Sequence, residues 1–289
     1  MKVIKLVWIT VLFYCSIPSF AQQAQENFSF VFMTDVHLKN EPHIISGFRR
    51  AMDKINVLDP DFILSGGDQV FDVMRGNEAV SDSLFQLYAN ETKALRAPVY
   101  NCIGNHELFG IYKESPTDST HRLYKYGLYK KYFEELYYSF DYKGWHFVVL
   151  NNLDAASYAY FASFDQQQLD WLKNDLSNIS PSTPVVIMMH VPIVSVQNQL
   201  DIPQNGVSMG PNIRNRDVLL EMIEPYNIQL VLQGHLHYFE DIQVKGKTRF
   251  ITGSAIAGRP SWRGQRNGPP GFLKFEVTGS SYTYKFVEF

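Results

Sequence analysis

Five short clusters of carboxylates, imidazoles and one amide punctuate the chain, each where an apolar run stops. They are Asp35-Val36-His37, Gly66-Gly67-Asp68, Gly104-Asn105-His106-Glu107, Met189-His190-Val191-Pro192 and Gly234-His235-Leu236-His237. Neutral imidazole nitrogen and carboxylate oxygen are the donors that zinc, iron and manganese take. One strand-end aspartate, or one buried histidine bonded to backbone, is ordinary structural chemistry. Here five of the eight histidines fall in such clusters, beside Asp35, Asp68 or Asn105, and only His43, His121 and His146 stand elsewhere. A core does not need that arrangement; a metal centre does.

The elements that must position these groups can be read around them. Phe28 to Thr34 is an aromatic and β-branched run that predicts a buried strand delivering Asp35 and His37, whose i, i+2 spacing lets both face one point from extended chain. Pro42 to Leu58 carries Ile44, Ile45, Phe48, Met52, Ile55 and Leu58 on one helical stripe. Phe62-Ile63-Leu64 reads as a short strand before the Gly66-Gly67 turn. A helix from about Asn77 to Leu95 and a strand at Val99 to Ile103 lead to Asn105 and His106. Further on, Trp145 to Asn151, Val185 to Met189 and Ile228 to Leu232 read as strands, and Phe164 to Leu176 and Asn215 to Ile223 as helices. This alternation predicts a largely parallel sheet with helices on its faces and polar residues at the carboxyl ends of the strands. From Phe239 onward the pattern turns antiparallel, with runs at Phe239–Val244, Arg249–Thr252, Phe272–Val277 and Tyr282–Val287, expected to close a second sheet of the same domain.

Two stretches interrupt the pattern. Residues 109–143 contain Tyr112, Tyr124, Tyr126, Tyr129, Tyr132, Phe133, Tyr137 and Tyr138. They read either as a surface excursion whose rings pack on the domain or as a lid or wall over the site that stacks on an apolar or sugar-like part of a substrate. The loop from Val191 to Pro211 is rich in Gln, Asn and Gly, a length that usually signals function or mobility.

The chain has 289 residues, 45% hydrophobic and 19% charged, enough to bury one large core. Residues 1–21 have the layout of a secretory signal peptide: Lys2 and Lys5, an apolar run from Leu6 to Tyr14, and Ser19 and Ala21 before Gln22. The apolar run is too short to span a bilayer, and the bulky Phe13 and Tyr14 before Cys15 argue against a lipidated terminus. Residues 22–289 are then expected as a single exported domain, periplasmic or extracellular. With Lys2 and Lys5 removed, 24 basic residues face 29 acidic ones, which disfavours a nucleic-acid backbone as partner. Cys102 has no intrachain partner after cleavage, so the exported fold must hold without disulfides.

Taken in order, DxH, GD, GNHE, H and GHxH resemble the calcineurin-like metallophosphoesterase superfamily over Asp35 to His237. The resemblance implies a two-layer β-sandwich of α/β (α+β) class flanked by helices, with two divalent ions (Mn, Fe or Zn) at the strand ends. By position it places one ion on Asp35, His37, Asp68 and His237, and the other on Asp68, Asn105, His190 and His235, with Asp68 shared. Two cations about 3.5–4 Å apart clamp an in-line displacement and lower the pKa of a bridging water, so the implied nucleophile is a metal-bridged hydroxide. His106 would stabilise charge on, or protonate, the leaving oxygen. The related purple acid phosphatases have a tyrosine ligand three residues after the motif aspartate; here that residue is Phe71, so no tyrosinate-bound ferric ion is expected. Other relatives carry there an aspartate that orients the GNH histidine, whereas this chain offers Asp72 one residue later.

Arg259, Trp262, Arg263 and Arg266 lie in a glycine- and proline-rich loop and are candidates for a second acidic group on the substrate, or simply solvated turn residues. The expected substrate is a small phosphate ester, a diester before a monoester; a nucleotidase or diphosphatase is the alternative within the enzyme class. A metal-containing binding protein that has lost its chemistry is the alternative outside that class, and a structural envelope protein without metal is a third.

Overall fold

A computed structural model describes residues 27–196, 213–258 and 269–289. In chain order its elements begin with β1 (Asn27–Met33), α1 (Pro42–Leu58), β2 (Phe62–Ser65), α2 (Glu78–Glu91), β3 (Val99–Asn101), a 3-10 turn at Asn105–Glu107, and α3 (Gly127–Phe133). They continue through β4 (Tyr138–Tyr142), β5 (Trp145–Val149), β6 (Leu153–Ala156), β7 (Ala159–Ala162), α4 (Gln166–Ser177) and β8 (Val185–Met188). The last are α5 (Arg216–Ile223), β9 (Ile228–Gln233), β10 (Glu240–Val244), β11 (Thr248–Thr252), β12 (Gly271–Thr278) and β13 (Ser281–Glu288).

Local chemistry sets the helix starts. Pro42 opens α1, where its missing N–H costs nothing. The Asn77 side chain accepts from Val80 N–H at 3.0 Å and that of Asp165 from Gln168 N–H at 2.8 Å, satisfying amides that the first turns of α2 and α4 leave free.

Two sheets form, in the strand orders β13-β12-β1-β2-β3 and β10-β11-β9-β8-β5-β4. In the first sheet β1, β2 and β3 run parallel while β12 is antiparallel to both β1 and β13; in the second β11, β9, β8 and β5 run parallel and the outer pairs β10–β11 and β5–β4 are antiparallel. Side chains alternate across each strand, so one face of each sheet meets the other sheet and the opposite face meets helices. Phe28, Phe30, Phe32 and Phe62 thus join Trp145, Phe147, Leu230 and Phe275 in one buried cluster. Within it Phe30 stacks on Phe275 at 4.5 Å between centroids and Phe62 meets Phe147 edge-on at 5.1 Å. The alternate residues Val31, Met33, Ile63, Val148 and Ile187 belong instead to a cluster with Phe48 and Met52 of α1, Phe85 of α2 and Leu172 of α4.

The four C-terminal strands do not make one sheet. β10 and β11 extend the second sheet, with β11 parallel to β9, while β12 and β13 complete the first. The chain changes sheets by running along the end of β1, where Ile256 N–H donates to Thr34 O and Ala257 N–H to Asp35 O. The β6–β7 hairpin had no counterpart in the sequence reading.

Most of the tyrosine-rich stretch packs on the domain, and its last residues are the edge strand β4. The hydroxyls of Tyr129 and Tyr138 both donate to Asn101 O, at 3.1 and 3.0 Å, and that of Tyr126 to Leu153 O at 2.6 Å. Among the described residues no helix is long and apolar enough to cross a membrane.

Candidate metal centre

Each cluster lies just beyond the carboxyl end of a parallel strand: Asp35 and His37 after β1, Asp68 after β2, Asn105 and His106 after β3, His190 after β8, and His235 and His237 after β9. The turns are sharp. Asp35, His37, Asp68, His235 and His237 all have φ between 47° and 73°, the left-handed region that non-glycine residues enter at a cost and that collects at functional sites. Two glycines admit the close approach this requires. A Cβ at Gly104 would lie 2.2 Å from the Asp68 backbone nitrogen and Oδ1, and one at Gly67, where φ is +99°, would lie 2.5 Å from His190 Nδ1.

Ligand atoms of Asp35, His37, Asp68 and His237 come within 4.8 Å of one another, as do those of Asp68, His190 and His235, so Asp68 belongs to both sets. In the first, His37 Nε2 is 2.8 Å from His237 Nε2, which is itself 3.2 Å from Asp35 Oδ1. In the second, His190 Nε2 is 3.3 Å from Asp68 Oδ2 and 3.2 Å from Asn105 Oδ1. His190 Nδ1 donates to Gly66 O at 2.8 Å, fixing Nε2 as the nitrogen free for a ligand role. All seven residues predicted as ligands therefore converge.

The donor set suits two divalent cations. Burial opposes ionisation of Asp35, yet the His237 and His190 imidazoles hold it at about 2. Asp68 likewise stays well below the usual carboxylate range despite its burial, through His190 and His106. Conversely, burial should lower His190, but Asp68 pushes it up to about 10. Two buried carboxylates thus draw protons onto their neighbours for want of other positive charge, the charge that bound cations supply. His37 sits well below its ordinary value through burial and the adjacent His106, and its buried Nδ1 has no hydrogen-bond partner.

His106 lies at the edge of this cluster, with Nε2 3.9 Å from Asp68 Oδ2. Its Nδ1 accepts from the Asp72 backbone N–H at 2.9 Å, which leaves the proton on Nε2, facing the centre. The Asp72 carboxylate points elsewhere and pairs with Arg75 at 2.8 Å. Phe71, in the position of the purple phosphatase tyrosine, sets its ring 5.4 Å from that of His106 and 6.1 Å from that of His37, under the Lys39 ammonium at 3.4 Å.

Several residues support the centre in ways that the sequence reading did not reveal. Glu107 is buried and accepts from the backbone N–H groups of Asp68, Val70 and Gly104 at 2.8–3.0 Å, tying two ligand loops together; burial and the Asp68 charge push its carboxyl up to about 8. Thr34 Oγ1 donates to Asp35 Oδ2 at 2.7 Å. Buried Gln233 accepts from Ile193 N–H at 2.8 Å, and buried Asn152 donates to Val191 O at 2.6 Å, together fixing the loop after His190. For Thr34, Gln233 and Asn152 the only sequence signal was an uncharged polar residue inside or just after an apolar run. Arg259, Trp262 and Arg263 lie outside the described residues.

The site and sandwich define a metal-centre hydrolase architecture, and the family is settled by comparison. A calcineurin-like phosphoesterase model matches residues 28–239, and the chain belongs to that family. It is 28% identical over 200 residues to purple acid phosphatase 21 of Arabidopsis thaliana, an alignment covering 66% of this chain and 41% of that protein. The chain thus spans about two-fifths of that curated relative. In fold it is similar to a dimetal phosphatase from Danio rerio, with a TM-score of 0.65 at 16% identity over 90% of this chain and 97% of that one. A purple acid phosphatase from yellow lupin (Lupinus luteus) gives 0.65 at 13% identity, over 91% of this chain and 52% of that one.

Proposed function

We propose that this protein hydrolyses a small organic phosphate ester, a diester in preference to a monoester, at two divalent ions of the Mn, Fe or Zn class. The observation that carries the reading is the convergence of two donor sets on one shared carboxylate, Asp68. Asp35, His37, Asp68 and His237 would hold one ion, and Asp68, Asn105, His190 and His235 the other. When bound, such ions bind phosphoryl oxygens and make water nucleophilic near neutral pH.

The chain's own part is to place and neutralise. With Nδ1 occupied by the Asp72 amide, the neutral His106 ring presents Nε2–H to a phosphoryl or leaving oxygen, so its work is to stabilise negative charge. Glu107 keeps the Asp68 and Asn105 loops in register, which fixes Asn105 relative to the shared Asp68. The diester preference rests on two features. Phe71 takes the place of a tyrosine ligand, and the centre is flanked by two rings on different residues, Phe71 by His106 and Tyr160 by His235, the latter pair 6.2 Å apart. A diester has two organic groups to set against them.

The purple acid phosphatase relative favours a second reading, a phosphomonoesterase. Specificity constants for bis-p-nitrophenyl phosphate and p-nitrophenyl phosphate decide between the two, measured on chain from Gln22 with each metal resupplied and metal content determined on the same sample. A metal-dependent excess on the diester supports the proposal, and an excess on the monoester selects the alternative. Two bound ions with no turnover on either would favour a binding protein.

Export to the periplasm or outside the cell is part of the same proposal, supported by the Lys2–Ala21 segment. Amino-terminal sequencing of protein from the native host should begin at Gln22; an intact Met1 end would reject it.

A further inference from the structure

A cavity of about 460 Å³ is lined by Tyr112, Tyr124, Ser115, Thr117, Asp118 and, from the β6–β7 turn, Tyr158. Each of its walls leads to the centre. On one side the Arg75 guanidinium covers the Tyr112 ring at 4.2 Å and pairs with Asp72, whose backbone amide holds His106. On the other, the turn feeds β7, where the Tyr160 ring stands 6.2 Å from that of His235. Both walls of the cavity are thus connected, through Arg75 and Asp72 on one side and β7 on the other, to residues of the centre.

The turn itself is built against local preference. Ala156 pairs with Ala159, so Ser157 and Tyr158 make a two-residue hairpin turn, with φ of 51° and 62°. Turns of that kind favour Asn-Gly or Asp-Gly, because both central residues are left-handed. Here the second position carries a tyrosine that is 65% exposed. A large ring in a costly conformation, packed on little of its own protein, is accounted for by what it would meet across the cavity. The hydroxyls of Tyr126, Tyr129, Tyr132, Tyr138 and Tyr142 are bonded within the fold, whereas Tyr112 and Tyr124 line this space.

We infer that this cavity is a subsite for a hydroxylated sugar ring carried on one ester arm of the phosphodiester. Tyrosine rings suit the apolar face of a sugar, and Thr117, Ser157 and Asp118 offer hydrogen-bonding groups for its hydroxyls. The inference rests on the diesterase reading above and deepens it.

The test uses two diesters with the same leaving group, p-nitrophenyl methyl phosphate and the p-nitrophenyl phosphodiester of glucose at its 6-hydroxyl, on metal-loaded protein. The glucosyl diester should exceed the methyl one in kcat/KM by tenfold or more, chiefly through KM. Tyr158→Asn, which suits a left-handed turn, should cut that ratio about tenfold while leaving Tm unchanged or higher. Equal kcat/KM for the two diesters, or a Tyr158→Asn loss that is the same for both, overturns the subsite. If neither diester turns over, the hydrolytic reading is what fails, and calorimetric binding of the methyl phosphodiester of glucose 6-phosphate then decides the subsite. Binding lost in Tyr158→Asn sustains it, and no binding by the unaltered protein rejects it.

Discussion

The metal centre and the pair of carboxylates around His146 are made of the same side chains and do different things. At the β4–β5 edge, His146 Nδ1 lies 2.7 Å from Asp141 Oδ1 and Nε2 lies 2.9 Å from Asp175 Oδ2, so one protonated imidazole answers two acids and nothing is left over. Ser139 donates to the remaining Asp175 oxygen at 2.7 Å. At the strand ends, by contrast, two buried carboxylates face four imidazoles, two of whose Nε2 atoms are 2.8 Å apart, and His37 Nδ1 has no partner. What separates a ligand set from a structural clamp is thus surplus. A clamp saturates its own donors, whereas a metal centre gathers more imidazole nitrogens and carboxylate oxygens around one point than they can satisfy among themselves, an arrangement that a bound cation stabilises.

The largest test of that contrast is Asp68→Ala. It removes the carboxylate common to both ligand sets, so turnover should fall to background and metal content, read by elemental analysis, should fall with it. Full metal occupancy in the variant would overturn the sharing of Asp68. His106→Ala comes next. It should keep both ions and slow turnover by about 10²–10³, the scale of one lost donor to developing charge; loss of metal instead would make His106 a ligand. His146→Gln belongs to the other side of the comparison. Breaking a buried, charge-assisted pair should cost about 1–3 kcal/mol in denaturant unfolding, with turnover per metal-loaded molecule unchanged.

The clamp also has a sign in pH that the comparison predicts. Burial alone would lower the His146 pKa, but the bonds to Asp175 and Asp141 outweigh it and raise it above the ordinary 6.5. The folded state therefore holds this proton more tightly than the unfolded one. Its contribution is fully present below pH 6.5 and is lost as pH rises through the raised folded value. The stability gap between wild type and His146→Gln, followed from pH 5 to 9, should be widest at the acid end and narrow upward. A gap that widens toward pH 9 would mean that His146 is neutral in the fold.

Much of this was legible in the chain before any coordinates. The strands ending at Asp35, Asp68, Asn105, His190 and His235 are continuous apolar runs closed by glycine or polar residues, and α1 falls on its predicted stripe from Pro42 to Leu58. Legibility stopped where one residue's partner is distant in sequence. Nothing local says that Phe272–Val277 pairs with β1 while Arg249–Thr252 pairs with β9, because both runs are equally apolar and the choice is made by the crossing at Ala255. The β6–β7 hairpin was missed because Ser157-Tyr158 lacks the Asn-Gly chemistry that announces such turns. Glu107 was placed in its motif, but its work as a clamp depends on three amides from two loops, which spacing does not reveal.

The smallest expected effect concerns Asp72, and it separates two ways of orienting His106. In relatives with an aspartate one residue earlier, the carboxylate does that work; here the Asp72 backbone amide reaches His106 Nδ1 and the carboxylate turns to Arg75. Asp72 has a φ of 48°, a conformation that asparagine tolerates nearly as well. Asp72→Asn therefore keeps both the turn and the N–H donor while removing the charge. Its kcat should change by less than about threefold, and the partly exposed pair with Arg75 should be worth no more than about 1 kcal/mol. A fall approaching that of His106→Ala would show the carboxylate, not the amide, to be the orienting group. His106 would then sit on a proton relay of the clamp type instead of being fixed as a neutral donor.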